Sequence, residues 1–311
     1  MVKKRHFIIV ISILLVGLIV GSFLDLQINQ AIYSKGNMFG IIMAAFGTVP
    51  CYAGLAFLGG GLFGATLKRK DLHPAIRFSC YVLAVVAYGV SIYLGSKDVP
   101  SANAFNNESL RLPGIIISAV LFAGVAYLGF RACFKEDRKE LWALTLVMIV
   151  IFTVGLLPVS YVIKLFIHRP RFRYVVYSGE IPFHNWWESY KAYKDYLATN
   201  PVYEGVNITK EEFKSFPSGH SGSAAILMMF LPYFSSFYPK LKGKETLLFY
   251  IGFAFTLLMM FSRMLVGAHY LTDTCMGALL LMAVYFIVHV FAHSKGWIFN
   301  EEQPKQEATI E

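Results

Sequence analysis

Eight runs of apolar residues, each long enough to cross a lipid bilayer, dominate this 311-residue chain. A helix needs roughly 20 apolar residues to span ~30 Å of hydrocarbon. The runs extend approximately from Phe7 to Phe23, Met38 to Leu67, Phe78 to Leu94, Gly114 to Phe130, Leu141 to Phe166, Ser218 to Phe237, Leu247 to Ala268, and Thr272 to Phe291. A chain that is 56% hydrophobic and only 15% charged, with a mean hydropathy of +0.55, is too apolar for a water-soluble domain of this length. Hydrocarbon offers the backbone no hydrogen-bond partner, so each span must satisfy its own N–H and C=O groups. The predicted fold class is therefore all-α: a polytopic transmembrane helix bundle of about eight spans. The second run is the least regular, because Gly59-Gly60-Gly61 permits either a close helix crossing or a break.

The net charge of +9 does not point to nucleic acid as a partner. Lys and Arg sit in short tracts between apolar runs rather than along one amphipathic face. Such tracts collect in cytoplasmic loops. With eight spans, Lys3 to Arg5, Lys68 to Arg77, Arg131 to Lys139 and Lys240 to Lys244 all fall on one side, whereas the opposite short loops carry only Lys35, then Lys97 with Arg111. The expectation is a multi-pass cell-membrane protein with both termini cytoplasmic. The first run follows a basic start but is long and lacks a small-residue cleavage site, so it reads as a retained anchor. About three N-terminal spans occupy residues 1–112, the remaining spans 113–293, and a polar cytoplasmic tail 294–311, disordered after Asn300. Cys51, Cys80, Cys133 and Cys275 lie in or beside apolar runs without Cys-x-x-Cys spacing and read as small buried hydrophobes.

The one long connection, His168 to Phe216, emerges on the extracytoplasmic side and is rich in aromatics, among them Trp186, Trp187 and Tyr190. An aromatic belt at the membrane interface and a lid or headgroup platform over a site both fit it. Three clusters of ionisable residues end apolar runs on that same side: Lys164 with Arg169 and Arg171, Pro217-Ser218-Gly219-His220, and Ser262-Arg263 with His269 and Asp273. Charges this close to hydrocarbon call for a functional explanation. Lys and Arg suit phosphate oxygens, and two histidines can divide the roles of nucleophile and acid. Asp273 follows His269 by one helical turn, where a carboxylate can hold an imidazole tautomer. Ser218 and Gly219 open a span whose free N–H groups favour an anion. Acidic clusters for Mg²⁺ and His/Cys sets with zinc spacing are missing from the sequence, so no metal and no cofactor is expected. Arg169 and Arg173 fit either a phosphate or a lipid headgroup. His168, His184, His289 and His293 read as interfacial polar tips.

In these three clusters the chain resembles the type 2 phosphatidic acid phosphatase superfamily, the group that includes vanadium haloperoxidases and glucose 6-phosphatase. The motifs read Lys164-Leu-Phe-Ile-His-Arg-Pro-Arg171-Phe172, Pro217-Ser218-Gly219-His220, and Ser262-Arg263-Met-Leu-Val-Gly-Ala-His269-Tyr-Leu-Thr-Asp273. The second and third match fully. The first has Phe172 where the family has proline. The resemblance implies a six-helix phosphatase core preceded by extra N-terminal spans. It also implies that His269 is the nucleophile forming a phosphohistidine, Asp273 its orienting partner and His220 the general acid. Lys164, Arg171, Ser218, Gly219 and Arg263 would bind the phosphate without a metal. The expected substrate is a lipid phosphate held in the membrane by its tail: a polyprenyl diphosphate such as undecaprenyl diphosphate first, then phosphatidic acid or phosphatidylglycerol phosphate. A lipid or sugar phosphotransferase using the same histidine, or a transporter or receptor that keeps the fold without catalysis, are the alternatives.

Overall fold

The computed structural model describes residues 2–101, 111–135, 139–157, 162–199, 202–203 and 206–294. Arg138 and the tail after Asn300 lie outside them. The apolar runs form helices α1 (Lys4–Ile32), α2 (Met38–Phe46), α3 (Val49–Lys68), α4 (Pro74–Ser101), α5 (Arg111–Phe134) and α6 (Lys139–Leu157). The long connection carries two short helices, α7 (Phe172–Ser178) and α8 (Tyr193–Thr199), and a small ribbon of β1 (Val202–Tyr203) paired antiparallel with β2 (Val206–Asn207). Three more helices, α9 (Gly219–Phe237), α10 (Glu245–Leu265) and α11 (Leu271–Ser294), complete the bundle. The fold is thus an all-α bundle. Among the described residues, six helical stretches are long and apolar enough to cross a membrane, α2 and α3 counting as one. Ile8, Val16, Ile19 and Phe23 on α1, and Ile116 and Val120 on α5, present an apolar exterior suited to lipid.

One point that the sequence left open and two departures from its expectation have physical causes. The glycine run does not break the second span. It lets α3 approach α5 so closely that a Cβ on Gly60 would lie 1.8 Å from the Ala126 carbonyl oxygen. The break comes earlier, at Gly47-Thr48, where Pro50 in the first turn of α3 has no N–H to continue the helix from α2. Secondly, α1 continues to Ile32, well past Phe23, because its polar residues Asp25 and Asn29 are buried against protein rather than facing lipid. Thirdly, α9 is not among the six apolar stretches. Most of its residues are buried between α10, α11, α6 and α3, so a helix rich in Ser, Gly and Ala needs no lipid-compatible surface.

The packing separates the two ends of the bundle. At one end the α1 N-terminus meets the start of α10, with His6 Nδ1 2.9 Å from the Tyr250 hydroxyl. The start of α6 meets the end of α9 through Thr145 and Tyr233, 2.6 Å apart. Arg69 lies over the Trp142 ring and Lys68 over Phe134, so the basic loops after α3 and α5 gather near α6. At the other end, Asn29 of α1 reaches the carbonyl of His269, just beyond α10. The long connection caps this second end with a small core of its own, in which Phe213, Tyr174 and Ile181 are buried among Tyr190, Tyr193 and Tyr196.

Candidate active site

The three motifs converge at the capped end. Ser218 caps α9, its hydroxyl accepting from the Ser221 N–H, and its own N–H donates to the Asp273 carbonyl at 2.9 Å. This contact requires Gly277: a Cβ there would come within 2.3 Å of the Ser218 carbonyl oxygen, forcing α11 away from the α9 N-terminus. Gly219 and His220 occupy the first turn of α9, where N–H groups have no carbonyl one turn back. The Arg173 N–H donates to the Gly267 carbonyl at 3.0 Å, tying the first motif to the turn of the third.

His269 lies in the turn between α10 and α11 and is almost wholly buried. Its Nδ1 is 2.6 Å from the Ser215 carbonyl oxygen. A carbonyl only accepts, so Nδ1 carries the proton and Nε2 presents a lone pair. Burial holds the imidazole well below the ordinary histidine range, at about 3; Asp273 opposes this, and the Arg171 and Lys164 charges reinforce it. The ring is therefore neutral near pH 7.

Asp273 stands 3.7 Å from His269 Nδ1, farther than the Ser215 carbonyl. Its Oδ2 accepts from the Ser215 hydroxyl and, at 2.9 Å, from the Tyr270 N–H. Its Oδ1 receives Arg169 Nη1 at 2.6 Å. The carboxylate thus ties Ser215, whose carbonyl is the histidine's acceptor, to the turn that carries His269.

His220 Nε2 lies 3.2 Å from the Ala44 carbonyl oxygen. That oxygen belongs to the last turn of α2, where carbonyls lose their helical partners, so the break at Gly47 provides the histidine's acceptor. The His220 ring is within electrostatic reach of His269, Arg263 and Lys164. Arg263 is buried at the end of α10 and donates from Nη1 to the Gly40 carbonyl at 3.3 Å.

Lys164 occupies a single 3-10 turn, Ile163–Leu165, separate from the described part of α6. Arg171 caps α7 and is anchored through its N–H to the Glu212 carbonyl and through Nε to the Glu211 carbonyl. Its φ of −73° and ψ of 146° are those of a residue preceding proline. Phe172 follows at the first helical position, where proline is favoured because no N–H partner is required. The replacement therefore keeps the turn, and the buried ring packs edge-on against Tyr33 and Tyr270.

Two residues of this site were not legible as such in the sequence. Arg169 contacts neither solvent nor a headgroup surface; it is fully buried between Asp273 and Asp25, whose Oδ2 accepts from Nη2 at 2.9 Å. Its guanidinium also lies 4.0 Å over the Tyr270 ring. Asp25 carried a signal, since a carboxylate within an apolar helix demands a buried partner. Arg173, the other arginine left open, pairs with Glu212 through Nε at 2.9 Å. Among the described residues no group of three His, Cys, Asp or Glu side chains is arranged to hold a metal ion.

Among known proteins, residues 140–297 match the family model described as the PAP2 superfamily. No curated protein and no solved structure matches the chain.

Proposed function

From the premise that this chain belongs to the PAP2 superfamily, the type 2 phosphatidic acid phosphatases, we propose that it hydrolyses a membrane-embedded lipid phosphate through a phosphohistidine on His269. Membership supports a phosphatase-type activity on a lipid or another phosphate ester. The observation that carries the finer reading is the buried, neutral imidazole whose Nδ1–H is taken by Ser215, leaving Nε2 as the nucleophile.

In the first step Nε2 attacks phosphorus, a P–N bond forms, and the P–O bond to the lipid breaks. His220 gives a proton to the departing oxygen. With Nε2–H directed to Ala44, that proton sits on Nδ1, so His220 enters this step as the imidazolium, its charge balanced by the bound phosphate, and leaves it neutral. In the second step His220 takes a proton from water, the hydroxyl attacks phosphorus, the P–N bond breaks and phosphate leaves. Lys164, Arg171, Arg263 and the N–H groups of Ser218 and Gly219 are assigned to the phosphate oxygens. For Ser218 the assignment requires its N–H to be shared with the Asp273 carbonyl. The lipid tail stays in the bilayer, and a polyprenyl diphosphate is the first choice, then phosphatidic acid or phosphatidylglycerol phosphate.

The test is phosphate release from a panel of these lipids by detergent-purified protein in EDTA. Wild type should release phosphate without an added acceptor, and His269→Ala should not. Turnover only with an alcohol acceptor would make the protein a phosphotransferase. A strict Mg²⁺ requirement would remove the metal-free mechanism.

A further inference from the structure

Helix α1 lies outside the residues matched by the family, yet one of its faces is built into the site. Gly17, Gly21, Asp25 and Asn29 recur every four residues and so share that face. A Cβ on Gly17 would come within 2.8 Å of Cys275 Sγ, and one on Gly21 within 2.8 Å of Thr272 Cγ2, so the glycines bring α1 against the start of α11. Beyond them Asp25 Oδ1 accepts the Thr272 N–H at 3.1 Å, and Oδ2 accepts both Arg169 Nη2 and the Thr272 hydroxyl. One turn further, Asn29 Nδ2 donates to the His269 carbonyl at 3.1 Å. Asp25 is 2% exposed, and Asn29 and Arg169 are fully buried.

A buried ion pair is weak evidence of a stabilising role, since apolar residues of similar volume commonly do as well. What apolar packing cannot supply is direction. With Nη2 of Arg169 taken by Asp25 and Nε by the His184 carbonyl, Nη1 is left aimed at Asp273 Oδ1. Asp273 Oδ2 is then left to the Ser215 hydroxyl and the Tyr270 N–H, and the Ser215 carbonyl fixes His269 Nδ1. The chain of contacts is continuous from α1 to the imidazole.

We propose that α1 is a working part of the active site: Asp25, through Arg169 and Asp273, and Asn29, through the His269 carbonyl, are positioning residues that aim His269 Nε2. The proposal rests on the reading of His269 as the nucleophile. Asp25→Asn keeps the size and the acceptor for the Thr272 N–H but removes the charge that holds Arg169. Misaiming a reacting group by ~1 Å lowers turnover by about 10²-fold. The expected result is that loss in kcat with KM changed by less than about threefold, because phosphate contacts are untouched. Asn29→Leu, which removes only the donor to His269, should act in the same direction more weakly. Both are measured on monodisperse protein in detergent, together with backbone hydrogen exchange.

Exchange should rise in residues 266–274 of both variants and stay at wild-type level in α3 and α5. Wild-type kcat and exchange in folded Asp25→Asn would overturn the proposal, as would a uniform rise across the chain. Failure of both variants to fold would make the stripe an assembly element only and also overturn it. If wild type itself releases no phosphate, the functional reading fails. The exchange pattern then decides the positioning role alone, a rise confined to 266–274 upholding it and none refuting it.

Discussion

At His269 the acceptor decides the chemistry: a main-chain carbonyl cannot give up a proton, so the histidine's tautomer is set by the fold and not by pH. Burial adds a consequence for stability. The unfolded chain takes up a proton on this residue as pH falls below about 6.5, whereas the folded one resists until about 3. The contribution is therefore full above pH 6.5 and is lost as pH falls toward 3, at ~1.4 kcal/mol per pH unit. Thermal unfolding in detergent should show wild type losing stability from pH 7 to pH 5 faster than His269→Gln. Parallel curves would mean that the folded protein protonates this imidazole as readily as the unfolded chain does. The residues nearest the chemistry were legible because each motif is local: Ser218 and His220 share one helix start, and His269 and Asp273 one turn. Asp25 and Arg169 were not legible as a pair. They are 144 positions apart, and only packing brings them together.

Helices meet here where a missing Cβ lets backbones touch, and the two closest crossings do different jobs. Gly60 joins α3 to α5, away from the motifs, while Gly277 joins α11 to the N-terminus of α9, at the centre of the site. Gly60→Ala should destabilise the protein by about 1–3 kcal/mol while folded molecules keep wild-type kcat. Gly277→Ala should lower kcat by about tenfold or more, since displacing the Ser218 N-cap shifts His220 and the phosphate-binding N–H groups together. Gly124→Ala, with open space around it, is the neutral control. Equal kcat for both crossing variants in folded protein would separate the α9 start from the chemistry. At this scale the sequence showed where helices exist, because apolar length is a local property. It did not show where α2 ends. Gly59-Gly60-Gly61 looks the weaker point, yet Pro50 ends the helical hydrogen bonding while neighbours fill the space beside the glycines.

Across the whole molecule, the motif end and the basic-loop end are opposite, with His6 and Tyr250 at one and Asn29 and His269 at the other. The general preference of basic loops for the cytoplasm predicts a site on the extracytoplasmic face. In a variant without the native cysteines, Lys191→Cys should react with an impermeant maleimide in intact cells and Lys242→Cys should not; the reverse pattern would place the site on the cytoplasmic face. That face determines which leaflet supplies the substrate, and the imidazole determines what is done to it. The most direct measurement is therefore of the bond that His269 is said to form. Purified protein in EDTA is mixed with lipid substrate labelled in the transferable phosphate, quenched in alkali within milliseconds, and digested for mass spectrometry. An acid-labile, alkali-stable phosphate is expected on the peptide carrying His269, formed within one turnover and abolished by His269→Ala. Phosphate release at the wild-type rate with no phosphorylated peptide, or with the phosphate on another residue, would contradict the phosphohistidine mechanism.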